Sequence, residues 1–172
     1  MTVARAGLLL LLICGIALKA RTAGPLPATQ ASVRLDSASA GPRQVEEQTE
    51  RTVMRDYGAA WLALCEALGQ NRAERLQPLW TGSARQRFAE AIDQQKRTGV
   101  QVRYVDRGHQ LSAVFYSPEG SALELRDTAQ LERQLFDSGK LVDTESVTGH
   151  YLVIMTPSAD GWQIRSLESL PK

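Results

Sequence analysis

"GHYLVIMTPSADGWQIRSL", residues 149–167, holds an apolar run, a turn signal in Ser-Ala-Asp-Gly and a second run that opens on Trp162. Two runs rich in β-branched and aromatic residues, separated by such a turn, read as a β-hairpin. Trp162 and Ile164 fall on one face of its second strand and enter a core, where an aromatic of that size contributes several kcal/mol at about 25 cal/mol per Å² before entropy is counted. The hairpin is expected to be the central or closing pair of a sheet that ties the C-terminus into the fold.

Working back from the hairpin, the period stays near two as far as Gly99. Val100, Val102 and Tyr104 alternate with Gln101, Arg103 and Val105, and "DRGH" (106–109) is expected to break this strand. "HQLSAVFY" (109–116) is a second strand ended by "SPEG", and "SALELRDTAQLERQLF" (121–136) a third, long enough to need a bend at "RDTA". "DTESVTGHYLVIMT" (143–156) is the fourth, with a bulge expected at Gly149, and "GWQIRSLESL" (161–170) the fifth.

Before Gly99 the period is that of helices. Val53, Tyr57, Trp61, Leu64 and Leu68 make the stripe of an amphipathic helix from about Glu46 to Leu68, stopped by Gly69. Asn71 with Glu74 has capping-box spacing and starts a short second helix in "RAERLQPLW" (72–80). Ser83 with Gln86 repeats that signal for a third, "ARQRFAEAIDQQKRT" (84–98), with Phe88, Ala91, Ile92 and Gln95 along one side. Helices first and a meander afterwards predict an α+β fold: three N-terminal helices packed on a strongly curved, mostly antiparallel sheet of four to five strands, cone-shaped.

The 172 residues leave room for one such domain with an extension. "AGLLLLLICGIAL" (6–18), behind Arg5 and ahead of Lys19 and Arg21, has the length of a signal-peptide apolar region and falls short of the ~20 residues that span a bilayer comfortably. Residues 1–20 therefore read as a signal peptide or signal anchor. Residues 21–44, rich in Ala, Ser, Pro and Gly, read as a flexible, disordered linker, and 45–172 as the domain. This predicts an exported protein, extracytoplasmic or periplasmic, with membrane contact only through residues 6–18. The part from residue 45 carries fifteen Lys/Arg against eighteen Asp/Glu, so it lacks the basic face nucleic acid requires. Cys14 lies in the leader and Cys65 in a helix; neither belongs to a metal-ligand spacing, and no cofactor motif is present.

The order of a helix bearing "YGAAWLALCEALGQ", a short helix with "LQPLW", a helix ending "KRTG" and strands finishing "GWQIRSLESL" resembles the nuclear-transport-factor-two-like superfamily of α+β cones. Within it the chain is similar, over roughly residues 46–170, to the intermembrane-space domain of a chloroplast-division protein family and its bacterial membrane-tethered relatives. The resemblance implies a pocket between helices and sheet, used by some members as an enzyme site and by others for a small ligand, while further members are interaction modules. It also implies a homodimer through the exposed sheet face.

An enzyme in such a pocket needs an Asp or His as general acid or base and a donor for a developing oxyanion. Asp106, His109 and His150 are the candidates for the first role, with no carboxylate at a diagnostic spacing from either histidine; Asp106 also reads as a turn residue bonding its own backbone. Tyr57, Trp61, Tyr104, His109, Tyr116 and Tyr151 are the expected ligand-binding residues. The functional expectation is a non-catalytic module of the cell envelope that binds a protein partner or a small apolar ligand. The competing class is a small exported isomerase or dehydratase working through an Asp or His in the pocket.

Overall fold

The computed structural model describes residues 31–171. The apolar leader at residues 6–18 and the first part of the expected linker lie outside the described residues. No described helix is long and apolar enough to cross a membrane.

The element order is β1 (Val33–Asp36), α1 (Glu47–Gln70), a 3-10 helix (Ala73–Leu76), α2 (Gly82–Thr98), β2 (Val100–Tyr116), β3 (Leu123–Asp137), β4 (Lys140–Ser158) and β5 (Gly161–Ser169). The fold is α+β, with two α-helices rather than the expected three. "RAERLQPLW" closes only one 3-10 turn, because Pro78 has no N–H to continue the ladder and its ring excludes the helical conformation just before it.

The sheet is mixed, in the order β1-β2-β3-β4-β5. β1 runs parallel to β2, from Val33 opposite His109 to Asp36 opposite Ser112, and every later pair is antiparallel. Two further corrections follow. Part of the segment expected to be a disordered linker supplies a strand, since Val33 and Leu35 alternate with polar residues and pack against the core. The sheet is open, neither strongly curved nor closed: the terminal hairpin places β5 at an edge, not at its centre. That edge is covered by chain, because Ile164 N–H donates to the Leu79 carbonyl and Thr81 N–H to the Ile164 carbonyl, each at 2.9 Å.

β2 and β4 run longer than expected, and β3 runs without the expected bend. β2 passes through "DRGH" without breaking; a bulge between Asp106 and Gly108 absorbs the extra residue. Gly108 permits it with φ +151°, and a Cβ there would come 3.2 Å from Ser32 Oγ. β3 continues through "RDTA", and its pairing with β4 shifts only at Leu135/Phe136. β4 crosses Gly149 in regular register with Ala129 and shifts instead at Ile154/Met155 in its pairing with β5.

The core lies between α1 and one face of the sheet. Val53, Tyr57, Ala60, Trp61, Leu64 and Leu68 of α1 are buried, as are Leu111, Ala113, Leu123, Leu125, Val153, Met155 and Ile164 of the strands. Trp80 locks the connection between helices to α1 by donating its indole N–H to the Ala60 carbonyl at 2.7 Å. Gln95 of α2 donates to Asn71 Oδ1 at 2.8 Å and accepts from Val102 N–H at 2.7 Å, joining both helices to the start of β2.

Candidate functional site

Register places the helix-facing side chains of the sheet in rows. Ala113, Leu125 and Val153 form one row, Leu111, Asp127 and Tyr151 the next, then His109, Ala129 and Gly149, then Asp106, Leu131 and Val147. Asp106, His109 and Asp127 thus interrupt an apolar face, and the side chains of His109 and Asp127 are 0% exposed. The Asp106/Gly108 bulge puts Asp106 and His109, three residues apart, on the same side.

The imidazole bridges two carboxylates, with Nδ1 2.8 Å from Asp127 Oδ2 and Nε2 3.0 Å from Asp106 Oδ2. Asp127 Oδ2 also accepts from the Tyr57 hydroxyl at 2.8 Å, and Asp106 Oδ1 accepts from Gly108 N–H at 3.0 Å. Burial lowers the histidine's affinity for its proton, but the two carboxylates outweigh it and push the His109 pKa up to about 9. His109 is therefore an imidazolium at neutral pH, and both ring N–H groups donate to aspartate. Burial first, and the Asp127 charge second, hold the Tyr57 hydroxyl in its neutral form.

Trp61 lies across this group, its ring centroid 4.6 Å from that of His109 and 5.7 Å from that of Tyr151. Two polar atoms here are buried with no hydrogen-bond partner, Trp61 Nε1 and Asp127 Oδ1. A crevice of about 340 Å³, which neither residue lines, opens between α2 and the start of β2, walled by Leu68, Phe88, Ala91, Gln95, Val102 and Tyr104 among others. Among the described residues no group of three or more His, Cys, Asp or Glu side chains is placed to hold a metal ion. Burial pushes the Cys65 thiol up to about 12, away from the thiolate form at neutral pH.

Of the residues singled out from sequence, the fold brings Tyr57, Trp61, His109 and Tyr151 together, joined by Asp106, and sets Tyr104 at the crevice. Tyr116 stands apart: it packs on Trp162 at 6.3 Å, beneath the Arg43 guanidinium. His150 alternates with Tyr151 onto the other face of the sheet, beside Thr128 Oγ1 at 3.4 Å. No carboxylate stands at a diagnostic spacing from either histidine in the sequence, yet the fold brings Asp106 and Asp127 onto His109. Asp127 was hidden in "RDTA", read as a bend. Its signal was parity, because Leu123, Leu125, Ala129 and Leu131 share its face and a carboxylate in that series has to be paired inside.

No family model matches the chain, and no curated protein matches it. Among solved structures it is similar to the intermembrane-space region of the chloroplast protein ARC6, at TM-score 0.62 and 17% identity, covering 71% of this chain and 96% of that one. It is similar also to a provisionally named scytalone dehydratase from Novosphingobium aromaticivorans, at TM-score 0.50 and 11% identity, covering 73% and 89%. At these identities the likeness speaks for the fold: two helices laid on one face of a mixed sheet, with a polar group buried between, is the nuclear-transport-factor-two-like α+β fold, in an arrangement resembling the intermembrane-space domain.

Proposed function

We propose that this domain binds a small, mostly apolar molecule in the crevice between α2 and β2, and does so outside the cytoplasm. The observation that carries this is the crevice itself. A space of about 340 Å³ with Phe88, Ala91, Val102 and Tyr104 in its walls is of the size that small-molecule sites take, and few polar groups line it. The apolar leader at residues 6–18 supports the location, and the fold likeness to an intermembrane-space region agrees with it. Native mass spectrometry of the chain purified gently from its own host tests the reading. The expected result is an added mass of a few hundred daltons that leaves on denaturation and is missing from Ala91→Trp, whose indole fills the crevice. A clean unliganded mass in both proteins would overturn it.

A second reading has its own observation, the buried Asp127–His109 pair. Buried groups whose protonation is shifted by specific charge partners cluster at functional sites, so their presence supports an acid–base enzyme of the dehydratase or isomerase kind. The fold likeness to a provisionally named dehydratase supports the same class. These features support it more directly than anything among the described residues supports a protein-docking module. The geometry sets one demand on it: both His109 N–H groups are engaged, so substrate has to reach the free Asp127 oxygen or displace Asp106. If the co-purified molecule loses the elements of water on incubation with the protein, and Asp127→Asn stops this while keeping the fold, the enzyme reading holds; an unchanged molecule counts against it.

A further inference from the structure

Trp61 Nε1 and Asp127 Oδ1 are a donor and an acceptor that are both buried without a hydrogen-bond partner. Asp127 is bonded to the same imidazole that lies 4.6 Å from the Trp61 ring, and to Tyr57, toward whose hydroxyl the Trp61 N–H is turned without closing a hydrogen bond of good geometry. Leaving either atom unpaired costs free energy, so buried groups of this kind belong with a partner. Matching both at once restricts the partner. A carbonyl or ether accepts from the indole and offers the carboxylate nothing, while an ammonium donates to the carboxylate and offers the indole nothing. A hydroxyl does both.

The row of the sheet next to Asp127 holds small residues. Ala129 and Gly149 stand opposite His109 in its row, and Tyr151, directly across from Asp127, leans its ring over Gly149 so closely that a Cβ there would sit 2.6 Å from the ring. Tyr151 is only half-buried and its ring lies 5.7 Å from that of Trp61, while Tyr104 lines the crevice. The pKa of its hydroxyl, pushed up to about 12 by burial and then by Tyr104 and Asp127, agrees with a position between the two.

We propose that Trp61 Nε1 and Asp127 Oδ1 receive one hydroxyl group of the ligand, an alcohol or phenol with an apolar body, and that Tyr151 is the side chain that moves aside to admit it. This rests on the preceding reading of the crevice as a small-molecule site and specifies its polar end. Binding of 2-naphthol and of 2-methylnaphthalene to the full chain, which differ by a hydroxyl for a methyl, tests it. A site built around a hydroxyl rejects the analogue that lacks it, so 2-naphthol is expected to bind about a hundredfold more tightly. In the wild-type protein the Trp61 indole N–H resonance is expected to move downfield with 2-naphthol alone, a readout that needs no variant. Trp61→Phe should weaken 2-naphthol binding more than 2-methylnaphthalene binding and so narrow the preference. Tyr151→Ala should speed association of 2-naphthol and keep the preference. Equal binding of the two probes with a still Trp61 resonance overturns this proposal and leaves the small-molecule reading standing. Binding of neither probe tells against both.

Discussion

His109 carries two opposed effects, since burial disfavours its charge and two carboxylates favour it. The carboxylates prevail, and the folded-state pKa of about 9 stands above the ordinary 6.5. A pKa raised by folding contributes stability that is complete below about 6.5 and is lost as pH rises through about 9, because the unfolded chain gives up its proton first. The two values correspond to a contribution on the order of 3 kcal/mol. The midpoint of urea unfolding is therefore expected to fall across pH 6.5–9 in the wild-type protein. His109→Gln, which cannot be charged, should be less stable below that window and flat across it. A wild-type midpoint that rises or stays level over the same range would show that the imidazole is neutral in the folded state. The residue that makes His109 what it is, Asp127, was open to sequence reading only through the parity of its strand, whereas Asp106 was visible three positions before the histidine as a turn residue. It does bond its own backbone neighbour, Gly108, and turns its second oxygen to His109.

The elements are joined by a few buried polar contacts rather than by apolar packing alone. Asp56 of α1 is 6% exposed and accepts from Trp162 N–H, the second residue of β5, at 2.8 Å. The fit requires glycine at 161, where φ is +143° and a Cβ would come 2.4 Å from Asp56 Oδ2. Asp56→Ala leaves the Trp162 amide buried and unpaired, at an expected cost of about 1–3 kcal/mol. Hydrogen exchange should report it selectively, with the Trp162 amide losing protection before the amides of β3. Equal protection in both proteins would mean that the hairpin docks without this bond. The type of the long elements was legible in the sequence, because α1 and α2 carry clear 3.6-residue stripes and the strands a clear alternation; their number was not, since a 3-10 turn reads as a third helix and β2 as two strands. Their ends were less legible too. "DRGH" has the composition of a turn, yet the backbone needs only one extra residue there, and the pairing of β2 with β3 on both sides of the bulge holds the strand together. "RAERLQPLW" has a helix-start signal, and Pro78 overrides it.

For the whole molecule, the least legible feature is where the folded domain begins. "SVRLDSASAGPRQ" (32–44) has the composition of a linker, and four residues of alternation are too few to stand out from it. What orders them is non-local. Val33 to Asp36 find an open parallel edge on β2 just past the bulge, His109 N–H donates to the Ser32 carbonyl at 2.9 Å, and Tyr116 N–H donates to the Gly41 carbonyl at 2.8 Å at the other end of the strand. The Arg43 guanidinium then stacks over the Tyr116 ring, 5.0 Å from its centroid. Residues 32–43 thus clamp both ends of the β2 segment that carries His109, so the domain boundary and the buried polar group are mechanically one problem. A chain beginning at Val45 loses the clamp and the partly buried Val33 and Leu35 with it. At about 25 cal/mol per Å² of apolar surface the loss is about 2 kcal/mol or more. Side by side, the chain from residue 31 is expected to unfold at the higher urea concentration, and the chain from residue 45 to show a His109 pKa closer to 6.5 as water reaches the imidazole. Identical midpoints and identical histidine titration would return residues 32–44 to the role of a passive tether, and would require the Asp106–His109–Asp127 group to be held by β2, β3 and α1 alone.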